Sequence, residues 1–482
     1  MALFGFQFVI TLIAASILQK VTARYSFGRW LLSKRLYRFL PPTDEELKGQ
    51  PGQSSGRSGQ GGKGKRRPAR QDNENNVFLV PKQIDVQLTS TVVTSIDVLQ
   101  LPYYVEYRWM IDFSCFAFVV YTLSEIYVAL FPVRASQEIN LSVIWIVVVI
   151  GFVLKALATV TSLYFRGAVD TGERSLCLCF GAVCFLLTMV LFLACDRLLD
   201  IDLLEAHHNF TEATQIYIKS QNLDLPTQER SPMLLYFLLS LMFGVLACFL
   251  TFPCIRYARM YYDSLNYASE KPFQKLLLHC SFFSPLVVLL LWVKPLAREK
   301  LVLSDDPLLS SDRFESLRIW LVVLSFVFRL VTAVPSLQSY LYTVHDNVKM
   351  MKQEGGRITN VDLRRMVNQP LIYLCVAAIQ YYSPAILLIS LACLLKTFGQ
   401  YSWLAVTGYE SLLVPFDESL LRNVSSGPTI PSQISSAFTP LSTVFNVVVN
   451  RAVWSFLLFT TCCISFFLSV CGALYASQLK AK

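Results

Sequence analysis

The sequence predicts an all-α polytopic membrane protein of about nine transmembrane helices, with its N-terminus lumenal or extracellular and its C-terminus cytosolic. Three observations carry this. The 482 residues are 54% hydrophobic and only 16% charged, where a soluble chain of this size needs roughly a quarter charged. The mean hydropathy is +0.48. The apolar residues also fall in runs of about 17–25, the length that crosses a bilayer core of about 30 Å.

The first run, Ala2–Leu18, has basic residues after it (Lys20, Arg24, Arg29) and none before it. It therefore reads as an uncleaved anchor with its N-terminus outside. Residues 19–109 form one long cytosolic loop. Its opening stretch puts Leu32, Leu36, Phe39 and Leu40 on one helical face, opposite Lys34, Arg35 and Arg38, as in a helix lying in the headgroup plane. Pro41-Pro42 ends that stretch, and Thr43-Asp44-Glu45-Glu46 reads as a capping box. Residues 49–76 are rich in Gly, Ser, Gln, Lys and Arg and are expected to be disordered. Their run Lys63–Arg67 either contacts anionic lipid or is a solvated linker.

Eight further runs are placed near 110–131, 141–165, 175–195, 233–253, 273–293, 318–334, 370–395 and 451–475. Between the last two lies a long Pro-containing loop. The loop 335–369 carries the stripe Leu337, Leu341, Val344, Val348 and Met351, then Gly355-Gly356 and a cap at Thr359 and Asp362. It predicts a helical hairpin, either a partner site or packing on the membrane surface.

Charge, sequons and tryptophans each bear on the topology. The segments assigned to the cytosol hold 27 Lys and Arg and those outside hold 11, the expected bias. The net charge of +9 is thus accounted for by loops, with no nucleic-acid partner implied. Three N-x-[ST] sequons, at Asn140, Asn209 and Asn423, all fall on the outer side. Trp109, Trp145, Trp292, Trp320, Trp403 and Trp454 lie at run ends, as an interfacial aromatic belt would.

No catalytic or metal-binding motif is present. There is no HExxH, GxSxG or P-loop, and no Cys/His zinc spacing. The 13 cysteines sit in or at the ends of apolar runs, so they read as packing residues, not as a disulfide framework. No enzyme activity, cofactor or metal is expected.

Charges at membrane depth are the remaining candidates, because each costs about 2.5–3.5 kcal/mol to insert. They are Glu125, Lys155 and Arg329, expected to face the bundle interior. A Glu125–Lys155 pair is attractive, but the two residues differ in depth by about 12 Å. Two prolines are helix-kink candidates: Pro285 in Phe282-Phe283-Ser284-Pro285 and Pro384 in Tyr381-Tyr382-Ser383-Pro384. They free the carbonyls of Ser281 and Gln380. The preceding runs end alike, at Phe252-Pro253 and Val334-Pro335, so either helices five and six repeat in parallel as seven and eight, or these are the Ser-Pro kinks and aromatics common to membrane helices.

The chain resembles the transmembrane protein 161 family over almost its whole length. The resemblance rests on the order and spacing of Gly28-Arg29-Trp30-Leu31-Leu32, Pro42-Thr43-Asp44-Glu45-Glu46-Leu47 and Gly172-Glu173-Arg174-Ser175. It continues through Leu250-Thr251-Phe252-Pro253, Leu291-Trp292-Val293-Lys294-Pro295, Gly356-Arg357-Ile358 and Leu394-Leu395-Lys396-Thr397. It implies a multi-pass membrane protein without established catalytic activity, in a family linked to cation currents, calcium homeostasis and protection against oxidative stress; the membrane is either the endoplasmic reticulum or the plasma membrane. Two functions remain open on this footing. One is a non-enzymatic regulator of calcium and potassium handling that acts on partner channels or pumps. The other is a transporter or channel with a polar site at Glu125, Lys155 and Arg329.

Overall fold

A computed structural model describes residues 6–43, 47, 88–132, 140–166, 171–220, 232–268, 271–303, 307, 309–354, 359–407 and 444–481. The segment 49–76, Asn423, the paired Gly355-Gly356 and most of the capping box after Thr43 lie outside them.

The chain is an all-α membrane protein. Among the described residues seven helical stretches are long and apolar enough to cross a bilayer, and a bent helix pair makes an eighth. The first helix, α1 (Phe6–Arg24), is apolar over a shorter length, Gln7–Thr22. Short helices α2 (Phe27–Leu32) and α3 (Ser95–Leu99) precede the long α4 (Tyr104–Leu130), α5 (Ser142–Arg166) and α6 (Thr171–Leu198). Then come α7 (Leu203–Ser220), α8 (Met233–Tyr267), α9 (Pro272–Leu290) and the single turn α10 (Arg298–Leu301). The bent pair is α11 (Ser311–Val331) and α12 (Ala333–Glu354), which meet at 44°. The chain closes with α13 (Asn360–Ile372), α14 (Leu374–Gly399) and α15 (Val447–Ala481).

Helix α14 is the axis of the bundle. The apolar window of the stretch that contains it is 83% buried, against 22–56% in the other candidate spans. A helix apolar on all sides is one that other helices surround. Here α4, α5, α8, α11 and α15 do so. Two close crossings let the bundle pack backbone to backbone. Gly181 of α6 faces Gly244 of α8, where an added Cβ on either would lie 3.2 Å from the other's carbonyl oxygen. Gly472 of α15 meets the Cα of Ile255 on α8, 2.9 Å from where a Cβ would stand. Small residues at such points give membrane helices their packing contact.

The expected amphipathic helix over Leu32–Leu40 is not formed. Helix α2 stops at Ser33, Lys34 takes a left-handed backbone (φ 65°), and Tyr37–Leu40 becomes strand β1. It pairs antiparallel with β2, Thr89–Val92, in the register Tyr37↔Val92 to Leu40↔Thr89. The side chain of Gln338 receives the Tyr37 N–H at 2.8 Å and donates to its carbonyl at 3.1 Å. A partner some fifty residues downstream overrides the helical pattern, as tertiary context does for any short ambiguous run.

The hairpin of α12 and α13 has the cap read from the sequence: Thr359 Oγ1 accepts the Asp362 N–H at 3.2 Å. Its stripe Leu337, Leu341, Val344, Val348 and Met351 is buried. The last three of these cluster with Phe39 and Leu47 of the first loop and with Leu363 and Val367 of α13, and Leu337 and Leu341 join the main core, so the stripe is covered from within the chain. The two proline-marked runs also differ from one another, against a repeat. Helix α8 continues through Pro253 to Tyr267, whereas α11 breaks at Thr332, before Pro335. Trp292 is not a belt residue either. It is 1% exposed and lies beneath the Arg318 guanidinium, 5.2 Å from its ring centroid.

Candidate functional site

Proline in a transmembrane helix removes an N–H and leaves a carbonyl that something nearby must satisfy. The structure brings both kink prolines and one of the three candidate charges to the same place. Pro285 on α9, Pro384 on α14 and Arg329 on α11 line a cavity of about 50 Å³, completed by residues of α8 and α15. The carbonyl of Ser281, freed by Pro285, accepts Ser284 Oγ at 3.3 Å. Beside Pro384, the carbonyl of Tyr381 accepts Arg329 Nη2 at 3.2 Å. The Tyr381 hydroxyl returns a hydrogen bond to the Arg329 carbonyl at 2.8 Å.

Arg329 is held by aromatic faces. Its guanidinium carbon lies 3.3 Å from the Tyr257 ring centroid and 4.9 Å from that of Tyr381, where the ring quadrupole attracts a cation. Hydroxyls connect these rings across the helix break. Tyr257 and Ser281 lie at 3.2 Å, Thr332 donates to Ser281 at 3.1 Å, and Thr332 and Tyr381 lie at 3.1 Å. No ion pair of Arg329 occurs among the described residues, and its Nε is buried without a hydrogen-bond partner.

The other two candidates lie elsewhere. Glu125 does not pair with Lys155: its carboxylate bonds the ammonium of Lys396, in the last turn of α14. The depth difference gives the reason, since Lys396 sits at the same end of the bundle as Glu125 while Lys155 is mid-helix. Tyr121, one turn from Glu125, adds contacts to Thr397 at 3.1 Å and the Cys393 carbonyl at 3.3 Å. Lys155, expected to face the interior, instead stands exposed on α5. Ile144, Val147, Val148 and Gly151 share its stripe and are exposed too.

Sequence reasoning missed the densest ionic cluster among the described residues. Asp200, just after α6, bonds the guanidinium of Arg318 on α11 and accepts Arg298 at 2.7 Å. Glu315 lies 3.0 Å from Arg318 and 3.5 Å from Arg298. Arg318 also donates to the Leu291 carbonyl at 2.9 and 3.2 Å and lies 4.4 Å from the Phe314 ring centroid. Burial of Asp200 raises its carboxyl pKa, but the charges and hydrogen bonds of Arg318 and Arg298 outweigh burial and hold it below the usual carboxylate range. Arg298 is correspondingly raised: burial lowers it, and Asp200 and Glu315 more than compensate. The cluster ties the ends of α6, α9 and α11 together. A local signal existed, in that Glu315 precedes Arg318 by one helical turn, but Asp200 is over a hundred residues away.

Asn140 has its acceptor oxygen engaged, taking hydrogen bonds from the Ser142 N–H at 3.1 Å, the Ser142 hydroxyl at 2.5 Å and Ser124 at 3.3 Å. It works as a cap for α5. Asn209 lies in α7, at intermediate exposure. Among the described residues no cluster of metal-ligating side chains occurs, and the twelve cysteines whose side chains are described are free.

Residues 2–480 match the family model described as predicted transmembrane protein 161AB. No solved structure matches the chain.

Proposed function

The chain belongs to the predicted transmembrane protein 161AB family, and from that membership we propose that it is a non-enzymatic regulator of calcium and potassium handling that acts on partner channels or pumps. Protection against oxidative stress would follow from cation balance. The observation that supports this reading is Lys155. It lies about 20 Å and about 17 Å along α5 from the helix ends, is exposed, and has no ion pair among the described residues. A lysine stem reaches only part of that distance to the headgroups, so an acidic residue on a partner's helix would relieve the insertion cost. Gly151 has no atom within 4 Å of its Cβ position, leaving room on the same stripe for close helix approach. The transporter reading has one observation of its own, the cavity at Arg329. It loses support because Glu125 and Lys155 do not reach that cavity.

Lys155→Leu separates the readings. We expect normal or higher abundance, since the insertion cost disappears, together with failure to restore calcium transients in cells lacking the protein. Full rescue at normal abundance would sink the docking role. Cation flux through the purified protein in liposomes would favour the transporter.

We also propose nine crossings with the N-terminus outside: the seven long spans, the bent α11–α12 pair and α1. The charge bias supports this count, as do the sequons at Asn209 and Asn423. Endoglycosidase treatment is expected to shift the protein, and Asn209→Gln and Asn423→Gln are each expected to remove part of the shift. Asn140→Gln should change nothing, because its side chain caps α5. A tag at residue 60 reporting from the lumen would overturn the orientation. The basic first loop, with Lys63–Arg67, is assigned to the cytosolic leaflet, where anionic lipid would attract it.

A further inference from the structure

We infer that the cavity at Arg329 is a binding site for an oxyanion, a carboxylate or phosphate group, held by the guanidinium and by Ser465. A cation at membrane depth requires a counter-charge or dense solvation. Arg329 has aromatic faces and one backbone carbonyl, and its Nε has no partner among the described residues. Ser465 of α15 is an independent second observation. It lines the same cavity, is only 8% exposed, and its Oγ has no hydrogen-bond partner beyond the neighbouring Cys254 thiol. The two residues come from different helices and line one cavity, and an acceptor bound there would supply the partner that the Arg329 Nε lacks. Carboxylates are absent from the lining, whereas hydroxyls recur at Ser281, Ser325 and Ser469. Those hydroxyls are engaged with Tyr257 and Thr332, with Ser284 and with the Ser465 carbonyl, so it is the guanidinium in a lining without carboxylates that matches an anion and not a cation.

The size also fits. About 50 Å³ holds roughly three or four water-sized groups, which is the scale of a carboxylate or phosphate. The walls favour a lipid-borne headgroup as the source. Phe282, Val288, Phe326, Leu388, Leu458 and Phe466 make most of the cavity apolar. Pro285, Ser325, Phe326, Leu388 and Phe466 are half-buried, so the cavity reaches the bundle surface, where an acyl chain would lie. A guanidinium suits the ligand because its planar fork donates two parallel hydrogen bonds to an oxyanion.

The test uses full-length purified protein in neutral-lipid nanodiscs. Thermal unfolding and native mass spectrometry are read with oleate, oleyl alcohol, acetate and inorganic phosphate. The expected result is a saturable rise in melting temperature and a bound mass with oleate but not oleyl alcohol. The apparent affinity should fall at least tenfold in Arg329→Gln and several-fold in Ser465→Ala. Arg329→Lys keeps the charge without the fork and should retain weakened binding, which also covers the case that Arg329→Gln folds poorly. Acetate or phosphate matching oleate would keep the anion site and identify a free anion as its source. Oleate and oleyl alcohol binding alike, oleate binding unchanged in all three variants, or no binding by any anion would overturn the proposal. None of these readouts depends on Lys155 or on calcium handling.

Discussion

Asp200→Ala is expected to destabilise the protein by about 3–5 kcal/mol, the usual result of removing one partner from a buried ion pair. The carboxylate and the Arg318 side chain are 3% and 4% exposed. Without Asp200, two guanidinium groups share Glu315 alone. The link between the α6 end and the α9–α11 corner then rests on the backbone contact of Leu199 with Val293 and the Asp200 N–H to Trp292 bond at 2.9 Å. Thermal unfolding in a mild detergent measures the effect. Asp200→Asn keeps an acceptor and should fall between alanine and the native residue, while Ala at the exposed Asp312 serves as a control with little effect. Native-like melting of Asp200→Ala would refute the assignment. The pH dependence has a definite sign. The carboxyl of Asp200 is depressed in the folded state, so its contribution is fully present above the ordinary carboxylate pKa. It is lost only as pH falls through the lower folded value. Between pH 8 and 5 the difference between the native protein and Asp200→Asn should stay constant, and it should shrink only in stronger acid.

The second large effect is expected at Glu125, whose partner decides the outcome. Glu125→Gln leaves the Lys396 ammonium beside a neutral amide. The two side chains are 12% and 13% exposed, so the loss should fall somewhat below the about 3–5 kcal/mol of a fully buried pair. Lys396→Met likewise leaves the Glu125 carboxylate without its partner and should cost a comparable amount. The joint Glu125→Leu, Lys396→Met variant should recover most of the loss, since a well-packed apolar pair often equals a buried ionic one. A double-mutant cycle read by unfolding in detergent is expected to give a coupling of at least about 1 kcal/mol for Glu125 with Lys396 and none for Glu125 with Lys155. The reverse pattern would restore the pairing that the sequence suggested.

These residues mark how far the sequence could be read. Glu125, Lys155 and Arg329 stood out from position alone as charges within long apolar helices, because any charge in an apolar run of that length would carry the insertion cost. Their partners were not identifiable. Lys396 sat at a run end, where a charge needs no explanation, and only the parallel placement of α4 beside α14 makes it the counter-ion of Glu125. Pro285 and Pro384 were legible as kinks from their missing N–H groups, but that their kinks and Arg329 share one cavity depends on five helices meeting. Ser465 gave no signal, since a serine in a membrane helix normally bonds its own helix backbone.

The sequence by itself determined the class of protein, the approximate spans and the cap at Thr359, because bilayer thickness and local hydrogen-bond geometry act over a few to about twenty residues. Tertiary structure alone decided that Tyr37–Leu40 is a strand, that α14 is the central helix, that Lys155 faces outward, and that Asp200 locks Arg298 and Arg318. Each of these is set by contact between segments far apart in the chain. A helix that lipid would accept on every side takes its inward face from its neighbours, not from its own pattern.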